Sequence, residues 1–242
     1  VDDVVFGCVD ALGPQAGDIA RTAWLAAGLP EAIPGTTIDR QCGSGQQAIS
    51  FAAMGVWAGV QDLVVAGGVQ NMSMVPIGLA LEAAAPLGHE DPFSGSTGWV
   101  DRYGLQEVTQ FRGAEMIAEK WDLSREAMEA FAFESHRRAV VAIDEGRFDN
   151  EVVPLVGVTT DEGPRRDVSM ERMAALPPLV EGGRLTAALA SQISDGAAAL
   201  LVASERAIAE HDLTPRARIH HVSARGDDPI LMLTGPIPAT AH

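Results

Sequence analysis

Extended and helical segments alternate through residues 1–70, and this alternation limits the possible folds more than any other feature. Residues 4–9, Val-Val-Phe-Gly-Cys-Val, form an apolar run that reads as a buried strand. Asp18 offers an N-cap for a helix reaching Ala27, closed by Gly28 and Pro30. Residues 36–39 read as a second strand, 44–58 as a long small-residue helix ended by Gly59, and 63–66 as a third strand stopped by Gly67-Gly68. Such an order implies an α/β protein with a mostly parallel sheet covered by helices.

Within this frame Cys42 stands out. It lies in Asp39-Arg40-Gln41-Cys42-Gly43-Ser44-Gly45, where an extended run turns into a helix. The helix dipole and unpaired N–H groups there favour a thiolate. Gly43 and Gly45 let a carbonyl approach the sulfur closely. These residues alone leave two readings open: a nucleophile for acyl transfer, or a small core cysteine.

Beyond residue 70 the regular alternation stops. Residues 72–75 lead into a stretch punctuated by Pro76, Pro86, Pro92, Gly95 and Gly98. A helix is expected over 110–121, with Phe111, Ala114, Ile117 and Ala118 on its apolar face. Ser124 caps another, running to about Glu145, with Met128, Phe131, Ala132 and Ala139 inward. Residues 148–153 read as extended, 197–204 as an apolar strand, 205–210 as a short helix and 216–224 as a further strand.

Composition excludes several classes. The 17 basic residues face 33 acidic ones, a net charge of −16, which disfavours nucleic acid and anionic membrane surfaces as partners. No stretch reaches the roughly 18 apolar residues of a membrane span. Two cysteines and no secretory pattern imply a reducing, cytoplasmic setting. The six histidines show no metal-ligand spacing, so no metal site is expected. His89, His136 and His211 read as structural or solvated, and His220 and His221 lie on the strand expected over 216–224.

Four segments, in order, resemble the thiolase family. They are Gln41-Cys42-Gly43-Ser44-Gly45, then Gly67-Gly68-Val69-Gln70-Asn71-Met72-Ser73, then Thr186-Ala187-Ala188-Leu189-Ala190-Ser191 continuing to Asp195-Gly196-Ala197-Ala198-Ala199, and Thr234-Gly235-Pro236-Ile237-Pro238-Ala239. The resemblance implies a layered α-β-α-β-α fold, present incompletely. Residues 1–70 and 184–212 would form most of an N-terminal domain, 71–183 a loop domain over the active site, and 213–242 the start of a C-terminal domain. The chain therefore resembles an internal fragment.

The resemblance further implies an acyltransferase that forms an acyl-cysteine at Cys42. The acyl group would pass to coenzyme A in thiolysis of a 3-ketoacyl-CoA, or to acetyl-CoA in condensation. Ser191, Ala187, Ala190, Ile193 and Met232 match substrate- or coenzyme-lining positions, and Met74 an acyl-pocket position. Coenzyme A would be a co-substrate, with no permanently bound cofactor, and the complete protein a homodimer or homotetramer. Gln192, with Gln46 and Gln47, resembles thiolases acting on bulky acyl groups. Two departures stand out: Ala188-Leu189 replaces a frequent Gly-Asn, and Gln70 replaces a glutamate. The Gly-His-Pro and Cys-x-Gly segments that supply the family's base and second cysteine do not occur in these residues. The piece alone is thus expected to lack full turnover. The alternatives are a non-catalytic acyl-CoA-binding or scaffold subunit, and a ketoacyl synthase on the same fold.

Overall fold

The computed structural model describes residues 1–242. Contacts divide the chain into two compact units, one of residues 1–100 with 193–222, the other of residues 101–192 with 223–242.

The first unit is built on one sheet. Strand β1 (Asp3–Gly7) leads through helix α1 (Ile19–Ala26) to β2 (Gly35–Ile38). Helix α2 (Ser44–Trp57) then returns the chain to β3 (Leu63–Asn71). A short helix, α3 (Leu79–Glu82), follows, and α4 (Thr97–Tyr103) spans the residue at which the contacts divide. The strand order is β2-β1-β3-β4, where β4 is Asp195–Ala203 and leads into α8 (Glu205–Glu210). β1 pairs in parallel with β2 and β3, and β4 runs antiparallel to β3.

α1 and α2 cover opposite faces of the sheet. A Cβ on Gly35 would lie within 2.7–2.9 Å of Arg21 in α1, and Val4 shares that face as its register partner. Gly7 points the other way, where a Cβ would sit 2.4 Å from the Gly45 nitrogen and the Ser44 carbonyl carbon at the start of α2. On this second face Val5, Val64, Ala66 and Val202 pack against Ala48, Ala52 and Ala53 of α2. Small residues on the helix let it settle close to the sheet, so apolar area is buried without large side chains.

Three sequence expectations are revised for this unit. β3 continues through Gly67-Gly68 to Asn71, because every residue from Leu63 to Asn71 has a ladder partner on β4. The glycines are demanded by closeness: a Cβ on Gly67 would meet the Ala198 oxygen, and one on Gly68 would lie 2.8 Å from the Gly7 oxygen. Residues 216–224 form no strand, since no neighbouring strand exchanges hydrogen bonds with them, although Ile219 packs on the core. Asp18 adopts φ 61 and makes no side-chain cap to α1; its carboxylate instead accepts the Thr37 hydroxyl at 2.6 Å.

The second unit is helical. It contains α5 (Gln110–Lys120), α6 (Arg125–Asp144), α7 (Met170–Ala174) and α9 (Pro236–Ala241). Thr109 caps α5 through the Arg112 N–H, and Ser124 caps α6 through the Ala127 N–H. Of the inward face expected for α6, Met128, Ala132 and Ala139 are partly buried but Phe131 is not. Phe131 is 80% exposed, whereas Glu129 is 2% exposed and ion-paired to Arg125 at 2.6 Å. The same guanidinium donates to the carbonyls of Met173, Ala174 and Leu176 at 2.8–3.1 Å, satisfying the open end of α7. That task turns the polar edge of α6 inward. Residues 148–153 are turn and coil rather than extended.

Candidate functional site

Parallel strands end at one edge of the sheet, and the chemistry of the first unit gathers there. β2 ends at Ile38, β1 at Gly7 and β3 at Asn71, while the antiparallel β4 begins at Asp195, the register partner of Asn71. Crevices outside the carboxyl ends of strands are where open α/β sheets take ligands.

Cys42 sits in the turn that joins β2 to α2. Asp39 accepts the Gln41 N–H at 2.7 Å. The Ser44 hydroxyl accepts the Arg40 N–H at 2.8 Å and donates to the Gln41 carbonyl at 2.5 Å. The Gly43 and Ser44 N–H groups donate to the Arg40 and Gln41 carbonyls at 3.1 and 3.0 Å. This tight wrapping requires Gln41 to adopt φ 48, a left-handed conformation that costs roughly 1 kcal/mol for a residue with a Cβ. The turn leaves Cys42 exposed at the N-terminal end of α2. The close seat of α2 on Gly7 and Gly68 sets where that turn lies.

Cys8 has the opposite environment. It is 2% exposed, and its thiol donates to the Gln70 Oε1 at 3.6 Å. Burial, reinforced by the charges of Asp10 and Asp39, pushes its pKa above the ordinary thiol value. Gln70 Oε1 also accepts the Val9 N–H at 3.1 Å, and its Nε2 is buried without a partner. Asp10, 1% exposed, accepts the Gly78 and Ala80 N–H groups at 3.3 and 3.0 Å. Gln15 bridges the Asp10 carbonyl and the Asn71 N–H at 2.8 and 2.6 Å.

At the β3–β4 end, Asp195 accepts the Ser73 N–H at 2.8 Å and its hydroxyl at 2.5 Å, and these bonds hold its pKa below the carboxylate range. Asn71 accepts from the Ser73 hydroxyl at 3.0 Å and from the Met74 N–H at 2.9 Å. The Ser194 N–H reaches the Met72 sulfur at 3.3 Å. Ile193 and Met74, flanking this clasp, are 73% and 61% exposed. The edge thus brings together the Cys42 turn, the Met72–Met74 turn and Ile193.

The remaining sequence candidates belong to the second unit. Thr186 is fully buried and anchors a turn, its carbonyl accepting the Leu189 N–H at 2.9 Å and its hydroxyl the Ala188 N–H at 3.3 Å. Ala187, Ala190 and Ser191 project from that turn as exposed residues. Met232 is half-buried with φ 57, beside the buried Thr234. A groove of about 390 Å³ in this unit is lined by Met116, Glu119, Lys120, Asp228 and Leu231, none of them a sequence candidate. No three His, Cys, Asp or Glu residues are grouped to hold a metal ion. His136 accepts the Arg165 N–H at 3.1 Å, and His220 is exposed.

The model of the family described as thiolase, N-terminal domain, matches residues 1–206. The chain belongs to the thiolase family. Among curated thiolases it is 60% identical to a steroid 3-ketoacyl-CoA thiolase of Mycobacterium tuberculosis, covering 100% of this chain and 60% of that protein. It is 39% identical to a 3-oxoadipyl-CoA/3-oxo-5,6-dehydrosuberyl-CoA thiolase of Escherichia coli K12, over 99% of this chain and 64% of that one. A solved acetyl-CoA acetyltransferase of Bacillus anthracis superposes with a TM-score of 0.82 at 35% identity, covering all of this chain and 63% of its own. The chain spans about 60% of the length of the thiolases it matches. No helix is long and apolar enough to cross a membrane.

Sequence reasoning passed over the groups that hold these thiolase segments in place. Asp195, Ser73 and Asn71 lie within the thiolase-like segments, but their mutual clasp follows only from the β3–β4 register that pairs them. The Asp10–Gln15–Gln70 group is likewise scattered along the chain, and no local pattern announces it.

Proposed function

We propose that the complete gene product carrying this chain is an acyltransferase of the 3-ketoacyl-CoA thiolase type, with Cys42 as its nucleophile. One observation carries the reading: the Cys42 thiol is exposed in a tied turn at the carboxyl edge of the parallel strands, inside the matched thiolase segment. The Cys42 sulfur attacks the C3 carbonyl of a 3-ketoacyl-CoA. A sulfur–carbon bond forms, the C2–C3 bond breaks, and its electron pair is protonated at C2 to release acetyl-CoA. The thiolate of coenzyme A then attacks the acyl-cysteine, and the Cys42 thiolate leaves. The Cys42 N–H is one donor for the oxyanion. Condensation is the same path reversed.

On this reading Ser191, Ala187 and Ala190 take coenzyme-lining positions, because small or hydroxyl side chains let a thin pantetheine arm run close to backbone, Ile193 takes a further lining position, and Met232 an acyl-pocket position. The loop domain is proposed over residues 71–183, a reading supported by the grouping of residues 101–192 with 223–242 into one helical unit. Coenzyme A is a co-substrate, the assembly a homodimer or homotetramer, and the compartment the cytoplasm. A bulky, ring-bearing 3-ketoacyl-CoA is the proposed substrate class, supported by the 60% identity to a steroid 3-ketoacyl-CoA thiolase. The test is thiolysis by the complete gene product of acetoacetyl-CoA and of a ring-bearing 3-ketoacyl-CoA. Turnover that vanishes in Cys42→Ser and favours the bulky substrate is the expected result. Equal turnover by wild type and Cys42→Ser removes the proposal.

A further inference from the structure

The proposed coenzyme segment is tied to α5 by a reciprocal pair of contacts. The Glu115 carboxylate, on α5, accepts the Arg184 N–H through both oxygens, at 2.9 and 3.1 Å, and the Leu185 N–H at 2.7 Å. In return the Arg184 guanidinium donates to the Ala118 and Leu123 carbonyls at 3.0 and 2.8 Å, at and just past the C-terminal end of α5. A Cβ on Gly183 would lie 2.5 Å from Glu115 Oε1, so a larger residue there would push on this carboxylate. A tight reversal backs the contact, with the Leu179 N–H donating to the Leu185 carbonyl at 2.8 Å and the Gly183 N–H to the Val180 carbonyl at 3.0 Å. The next residue is Thr186, fully buried, and the turn it anchors carries Ala187, Ala190 and Ser191 into solvent.

A carboxylate that spends its acceptors on two successive backbone N–H groups sets the position and direction of the chain that follows. We infer that Glu115 is a positioning residue for coenzyme A: it holds residues 184–186 against α5, so that the 187–191 turn is presented in one conformation to the pantetheine arm. The inference rests on the proposed thiolase function. The Glu115 carboxylate bonds to the backbone of residues 184 and 185, so its loss is expected to weaken coenzyme binding and leave the chemical step intact.

The experiment compares wild-type, Glu115→Gln and Arg184→Met forms of the complete gene product in thiolysis, with hydrogen exchange and thermal unfolding in parallel. A Gln keeps one acceptor but turns an NH₂ toward the backbone donors. The expected result for Glu115→Gln is a KM for coenzyme A raised about tenfold with kcat within about twofold. Its amides over 184–191 should exchange faster while the thermal midpoint stays within about 3 °C. Arg184→Met should shift KM the same way, and the double variant should show less than the product of the two effects. If Glu115→Gln does not fold, Arg184→Met alone decides, by the same KM-against-kcat split. An unchanged KM, or a parallel fall of kcat and thermal midpoint, overturns the positioning role while wild-type activity keeps the thiolase reading. A wild-type protein that neither turns over nor binds coenzyme A overturns both.

Discussion

Cys8 and Cys42 follow neighbouring parallel strands toward the same edge of the sheet, yet they end in opposite environments. Gly7, just before Cys8, is the register partner of Ile38, four residues before Cys42. After β1 the chain runs on in extended form: the Cys8 N–H donates to the Ile38 carbonyl at 3.0 Å, and Gln70 closes over the thiol. After β2 the chain folds back on itself through Gln41 in a left-handed conformation, and Ser44 staples the loop. One sulfur is sealed and the other presented. The lesson is that reactivity follows the turn and what lies over it, since both cysteines come just after parallel strands that end at the same edge.

The largest expected contrast is catalytic. Cys42→Ser should lower thiolysis by the complete gene product by roughly 10³-fold or more. Cys8→Ala should leave kcat within about threefold and cost only about 1 kcal/mol of stability. A comparable loss of turnover from both would erase the distinction.

Next comes the seat of α2. Gly7→Ala should destabilise the fold by about 3 kcal/mol, because the new methyl would meet α2 backbone at 2.4 Å, measured by denaturant unfolding. Gly59→Ala, in open space with φ +69, should cost about 1 kcal/mol from backbone strain alone. Similar values for the two would show that α2 is not wedged against β1.

Selective labelling tests the contrast directly. Iodoacetamide should alkylate Cys42 about 100-fold faster than Cys8 in the folded protein, and the ratio should collapse in denaturant, as followed by peptide mass mapping. The pH dependence has a definite sign. The folded Cys8 pKa is raised by burial, so the neutral thiol's contribution to stability is fully present below the unfolded thiol pKa, and is lost as pH rises above it toward the folded value. Stability should therefore fall above about pH 8.5, and less steeply in Cys8→Ala.

The smallest effect concerns the turn itself. Gln41→Gly removes the left-handed penalty but loosens the loop, so stability should change by less than about 1 kcal/mol while thiolysis falls a few-fold. A rate equal to wild type would mean that the Ser44 bonds suffice to hold Cys42.

Much of the fold could be read from local pattern. The helix cap at Ser124 depends on one hydroxyl and an N–H three residues on. The β-α-β order depends on short-range periodicity, and the family on short motifs in series. Other features escaped because they depend on partners far along the chain. Gly67 and Gly68 look like a strand end, but β4, more than 120 residues later, pairs straight across them. Phe131 looks like core, but Arg125 is drawn to the end of α7 and buries Glu129 instead.

The amino-acid order by itself determined the parallel start of the sheet, the helix behind Cys42 and membership of a family built around such a cysteine, since each depends on neighbours within a few residues. Only the tertiary structure decided what closes over the Cys8 thiol, which carboxylates clasp Ser73 and Arg184, and where the sheet continues. Those outcomes depend on contacts closed over 60 to 120 residues, and no local pattern encodes a partner that distant.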